Sequence, residues 1–164
     1  MPAGTSGEVC LAGPKITAGY WRDPEKTAAS FHADGWFRTG DVGYVDQEGF
    51  LYLTDRMKEM IISGGENIAS SEVERILLQM PEVSETAVIG LPDAQWGERV
   101  VAVVVVQPGT KLDINKVQAH CRKHLAGFKV PKQLVCIDVL PRNPSGKLLK
   151  RVLRANLADQ SGNA

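Results

Sequence analysis

The sequence predicts an α+β fold for residues 58–164, with helices packed on a small sheet, and a β-rich piece for residues 1–57. Three observations carry this. Val100 to Val106 is almost continuously β-branched and reads as a strand covered on both faces. Two segments repeat apolar residues at helical spacing: Val73, Ile76, Leu77 and Met80, then Ile114, Val117, Cys121 and Leu125. The stretch from Gly7 to Asp55 instead carries short apolar pieces separated by turn residues.

Taken in order, Glu8-Val9-Cys10-Leu11 reads as a strand, and Gly19-Tyr20-Trp21 as an aromatic piece with no assigned element. Gly35-Trp36-Phe37-Arg38 and Gly49-Phe50-Leu51-Tyr52-Leu53 read as two further strands. So few long apolar runs can hardly build a separate core, so this part is expected to complete a sheet or barrel supplied by other residues. Met60-Ile61-Ile62 reads as a short strand and Gly64-Gly65 as a turn. Ser71 and Glu74 have capping-box spacing ahead of a helix that Pro81 should stop. Thr86-Ala87-Val88-Ile89 is a strand, Asp113 can cap the second helix, and Gln133 to Val139 is another strand. A last helix follows, with Leu149, Val152 and Leu153 beside Lys150, Arg151 and Arg154. From Lys58 onward the resulting order is β, α, β, β, α, β, α.

The chain has 164 residues, room for one domain or a small domain plus an appendage. Formal net charge is zero, so no strong basic excess points to nucleic acid. No apolar run approaches membrane-spanning length, and the start lacks a signal-peptide pattern, which together favour a cytoplasmic setting. The three cysteines, Cys10, Cys121 and Cys136, lack metal-ligand spacing and read as buried small hydrophobes in a reducing compartment. No metal site is expected within the chain.

Four segments carry candidate chemistry. In Leu140-Pro141-Arg142-Asn143-Pro144-Ser145-Gly146-Lys147 the prolines and glycine disfavour a helix. Lys147 therefore sits on or just after a turn, a point charge on a long arm suited to reaching an anion. Thr39-Gly40-Asp41 reads as a turn projecting a carboxylate. Asp55-Arg56-Met57-Lys58-Glu59 is a charged patch between two strands. In Ser63-Gly64-Gly65-Glu66-Asn67 the paired glycines permit close backbone approach.

In this order and spacing the segments closely resemble the C-terminal third of the AMP-forming acyl-CoA synthetases, in the superfamily that also holds luciferases and peptide-synthetase adenylation domains. The matching pieces are Gly35 to Asp41, Asp55 to Lys58, Ser63 to Ile68, Glu72-Val73-Glu74, and Pro144-Ser145-Gly146-Lys147. The resemblance implies a two-step ligase. A carboxylate attacks the α-phosphate of ATP to give acyl-adenylate and pyrophosphate, and CoA thiol then displaces AMP. It implies that Asp41 binds the ribose hydroxyls, that Arg56 serves the nucleotide, and that Lys147 reaches the carboxylate and α-phosphate during adenylation. Lys58 falls at the family's hinge. Gly64, Gly65 and Glu66 would then enter the site in the second orientation and line the path of CoA. Trp96 and Phe128 are candidates for packing on the CoA nucleotide, or for ordinary packing. Lys129 and Lys132 could meet CoA phosphates, or be solvated lysines. Residues 1–57 would be the β-rich tail of a large N-terminal domain, which is missing here and would hold most of the ATP, Mg2+ and acid contacts. The activated acid would be a fatty or related carboxylic acid. An adenylation domain loading a carrier protein and a non-catalytic interaction module are the alternatives.

Overall fold

The structure is a computed structural model, and it describes residues 1–161. The chain divides into two compact units, residues 1–58 and 59–164.

The first unit is an antiparallel three-stranded sheet in the order β1 (Gly7–Leu11), β2 (Phe37–Val45), β3 (Leu51–Arg56). A short helix, α1 (Pro24–Ala29), lies between β1 and β2 and was not foreseen. It is capped by the Asp23 carboxylate, which accepts from the Lys26 N–H, and Pro24 opens it. Two readings need correction here. Thr39-Gly40-Asp41 is not a turn but the middle of β2, and its Gly40 has φ of 71°. Asp55 and Arg56 belong to β3, and a 3-10 turn, Met57–Glu59, follows. Strand pairing won over local polarity in both places. Among the described residues of this unit, Val42 is the single buried apolar side chain, while Trp21, Phe50 and Leu53 are largely exposed.

In the second unit β4 (Ile61–Ser63) and β5 (Glu66–Ile68) form a hairpin through Gly64-Gly65, with both glycines at positive φ. The sequence reading missed β5. Helix α2 (Ser70–Leu77) follows, then β6 (Val83–Asp93) and β7 (Gly97–Val106) as a long antiparallel pair. Helix α3 (Ile114–Cys121) starts at Asp113, whose carboxylate accepts from the Lys116 N–H as foreseen. Strand β8 (Gln133–Cys136) then joins β7 in parallel, and α4 begins at Lys150 and runs to Ser161.

The valine run of β7 has the double cover its composition required. Val100, Ala102 and Val104 face Val73, Ile76 and Leu77 of α2 with Val117 and Cys121 of α3. Val101 and Val103 face Leu140 together with Leu153 and Leu157 of α4. Each such side chain removed from water is worth about 1.5–3 kcal/mol, so this sandwich is the stable part of the unit.

Helix α2 differs from its sequence reading at both ends. Ala69 is the residue before the helix, with no side-chain cap, and Glu74 is engaged elsewhere. The helix ends at Leu77, and successive backbone bonds from Gln79 and Met80 unwind it before Pro81 is reached. The cysteines also divide: Cys121 is buried, Cys10 half-buried and Cys136 exposed, because Cys136 ends β8.

Candidate active-site surfaces

Asp41 and Arg56 are brought together in the first unit. They are direct partners in the β2–β3 register, and Arg56 Nε lies 2.7 Å from Asp41 Oδ1. A second guanidinium nitrogen of Arg56 donates to the Thr39 carbonyl at 3.3 Å. The Asp41 N–H donates to Thr39 Oγ1, whose hydroxyl donates to the Val9 carbonyl at 2.6 Å. The Asp41 backbone is thus held by the Thr39 hydroxyl, and its carboxylate is held from the side by a guanidinium. An ionised carboxylate has about four acceptor sites, so Arg56 leaves room for two hydroxyl donors. That donor set fits a ribose diol. Lys58 is exposed in the 3-10 turn that ends this unit.

Nearby lies a grouping the sequence did not reveal. Glu8, Cys10 and His32 offer three ligand atoms within 4.8 Å of one another. Glu8 already receives Arg38 Nε at 3.0 Å and the Gly40 N–H at 3.3 Å. Burial, and then the Glu8 charge, push the Cys10 thiol above its ordinary value, which opposes thiolate formation. The grouping joins residues distant in sequence, so no spacing could have shown it.

Lys147 stands in the second unit, exposed, in a tightly closed loop. Arg142 and Leu148 form an isolated bridge, the Asn143 N–H donates to the Lys147 carbonyl, and the Gly146 N–H returns to the Asn143 carbonyl. Asn143 Oδ1 also accepts from the Lys147 N–H at 2.8 Å and from the Ser145 hydroxyl at 2.8 Å. Arg142 donates to the Gly146 carbonyl at 2.9 Å and pairs with Glu85. Gly146 has φ of 82°, which the turn demands. The lysine backbone is fixed while its side chain remains outside.

The β4–β5 hairpin places Gly64, Gly65 and Glu66 at one exposed tip. Trp96 joins them. Its carbonyl accepts from the Gly64 N–H at 2.9 Å, and a Cβ on Gly64 would sit 3.0 Å from the indole. Space beside Gly65 is open. Phe128 is also partly exposed, in the 3-10 turn Gly127–Lys129. Lys129 is held by Glu72 at 2.7 Å, which disfavours it as a phosphate ligand. Lys132 is exposed.

Among the described residues, no helix is long and apolar enough to cross a membrane.

Residues 72–147 match the AMP-binding enzyme C-terminal domain family. The chain is 52% identical over 148 residues to the 3-[(3aS,4S,7aS)-7a-methyl-1,5-dioxo-octahydro-1H-inden-4-yl]propanoyl:CoA ligase of Mycobacterium tuberculosis, covering 90% of this chain and 29% of that protein. It is 47% identical to the long-chain-fatty-acid–CoA ligase FadD13 of the same organism, again over 90% of this chain and 29% of the relative. The ATP-bound MatB structure from Rhodopseudomonas palustris matches 97% of this chain and 32% of its own, with a TM-score of 0.91 and 43% identity. The chain thus spans under a third of the length of these proteins. Family match, identity and fold agree: residues 72–147 carry the AMP-binding enzyme C-terminal domain, and the chain resembles the C-terminal part of relatives that are CoA ligases.

Proposed function

We propose that this chain works as the C-terminal part of an acid–CoA ligase that activates a carboxylic acid with ATP and passes the acyl group to CoA. The observation that carries this reading is Lys147, an exposed cation on a loop braced by Asn143 and Arg142. Adenylation gathers the acid carboxylate and the triphosphate at one point. A preorganised cation there opposes their repulsion without reorganising, a contribution of roughly 3–4 kcal/mol in comparable sites. Asp41 and Arg56 hold the nucleotide, through ribose hydroxyls on Asp41 and a phosphate or ribose oxygen on Arg56. Lys58 is the hinge, and turning about it exchanges Lys147 for the Gly64–Glu66 tip, with Trp96 and Phe128 against the CoA nucleotide.

Residues 1–57 serve as the tail of a large domain that supplies the phosphate loop, the acyl pocket and the Mg2+ contacts. The exposed Trp21, Trp36, Phe50 and Leu53 support this, since monomeric surfaces rarely leave such a set uncovered. A fatty acid is the favoured substrate class on the likeness to FadD13, and a cytoplasmic location fits these substrates. The test is Lys147→Ala in the complete ligase. Pyrophosphate exchange should fall on the order of a hundredfold or more, while thioester formation from preformed acyl-adenylate is largely kept. Near-normal exchange would remove Lys147 from the reaction.

A further inference from the structure

Three residues beyond Lys147, the first residue of α4 does something unusual for a lysine. Lys150 is 10% exposed at its side chain. Its ammonium lies 2.6 Å from Glu74 Oε1 and donates to Ser70 Oγ at 2.7 Å. Both partners belong to α2; Ser70 is fully buried and the Glu74 side chain is 19% exposed. Glu74 Oε1 in turn accepts the Val88 N–H of β6 at 2.8 Å.

This arrangement does more than start a helix. Lysine is almost never buried unless paired, because its ammonium loses hydration. A cation at a helix N-terminus also opposes the macrodipole, so the position favours an acid instead. The topology supplies the reason. Helix α2 covers one face of the β6–β7 pair and α4 the other. Strand β6 ends the sheet. The Lys150 arm therefore reaches round the open edge of β6 and fastens the start of α4 to α2 and to the edge backbone. The Leu149 N–H, one residue earlier, donates to the Pro141 carbonyl at 2.8 Å and closes the base of the Lys147 loop. A second tie, Arg154 to Glu59 at 2.9 Å, holds the same helix one turn later.

We propose that Lys150 is a positioning residue for Lys147: its clamp on Glu74 and Ser70 fixes the base of the lysine loop and so the place from which the catalytic ammonium reaches. The inference rests on the reading of Lys147 as the adenylation lysine. Displacement of a reacting group by about 1 Å can cost up to a hundredfold in rate, so a loosened base matters even where the fold survives.

The test uses Lys150→Met in the complete ligase, with Lys150→Arg as the conservative variant and Lys147→Ala as the reference. The double variant Lys150→Met with Glu74→Gln removes both charges and guards against misfolding from an unpaired carboxylate. Adenylation kcat should fall about tenfold or more, with KM for ATP and the thioester step each within about twofold. Lys150→Arg should restore most of the loss. Amide exchange at Lys147 and Leu149 should quicken in the methionine variants, with the β6 and β7 amides unchanged. Equal losses in both half-reactions, or unaltered exchange at Lys147, would overturn the proposal alone. Unimpaired adenylation in Lys147→Ala would overturn the premise, and the proposal with it.

Discussion

Asp41 and Arg56 stand opposite one another on β2 and β3 and close an ion pair of 2.7 Å at a surface where Arg56 is half exposed. Exposed pairs of this kind contribute about 0–1 kcal/mol to stability. Their value lies in holding a carboxylate at a set angle, with Thr39 beneath it. Asp41→Ala should therefore leave thermal stability nearly unchanged. It should raise the KM for ATP of the complete ligase by roughly ten- to a hundredfold, the scale of losing hydrogen bonds to a charged acceptor. Thermal melts and initial rates over a range of ATP concentrations check this. A large loss of stability with normal ATP affinity would reassign Asp41 to the sheet.

Gly65 invites the opposite test to Lys147. Its φ is 82° and nothing lies within 4 Å of where a Cβ would project. Gly65→Leu should thus cost about 1 kcal/mol through backbone strain alone. In the complete ligase it should slow thioester formation and spare adenylation, since the new side chain would enter the thiol's path. Equal slowing of both steps would place the effect in folding. Gly64 is the less clean position, because Trp96 already fills its side.

The second unit was legible because its signals are local and agree with each other. The β7 valine run, the α3 cap at Asp113 and the Gly64-Gly65 turn each needed only neighbouring residues. Apart from α1, whose Asp23 cap and Pro24 are local signals, and the hairpin strand β5, the errors fall where a distant partner decides. Glu74 has capping-box spacing from Ser71, yet Lys150 and the Val88 N–H take it. Thr39-Gly40-Asp41 has turn composition, yet it is carried inside β2 as a bulge: β1 pairs with Arg38 and Val42 on either side of it, and β3 pairs with Asp41. Lys147 and Asp41 were singled out as candidates by motif, but the bracing of Lys147 by Asn143 and the contact of Lys150 with Glu74 are geometric and left no mark in the spacing.

The three thiols should react in a fixed order. Cys136 is exposed and should be alkylated first. Cys10 is half-buried, with its thiol pushed up by burial and by Glu8, and should follow slowly. Cys121 is enclosed in the core beneath α3, and burial pushes its thiol to about 11. At pH 8 only about one part in a thousand would be thiolate even if reagent arrived. Raising the pH from 7 to 9 should leave Cys121 protected until the core opens. Mass spectrometry of peptides after timed iodoacetamide exposure gives the order. Early labelling of Cys121 would mean that the packing of α3 on β7 is wrong.

The division after Lys58 can be tested by proteolysis of the chain as it stands. Lys58 is exposed in a short 3-10 turn, and the next residues lead directly into Ile61 at 0% exposure. Trypsin needs a lysine or arginine in chain that can locally open, and such openings concentrate where few apolar contacts hold the backbone. The first unit has one buried apolar side chain, Val42, against two packed clusters in the second. Early cuts should therefore fall at Lys58 and within residues 1–57, while a piece beginning near Glu59 persists. Removing the Glu59 anchor to Arg154 by Glu59→Gln should speed cutting at Lys58 without speeding cuts at the later lysines. Loss of the C-terminal piece at the same rate as the intact chain would show that the two units share one stability, and would remove the hinge from Lys58.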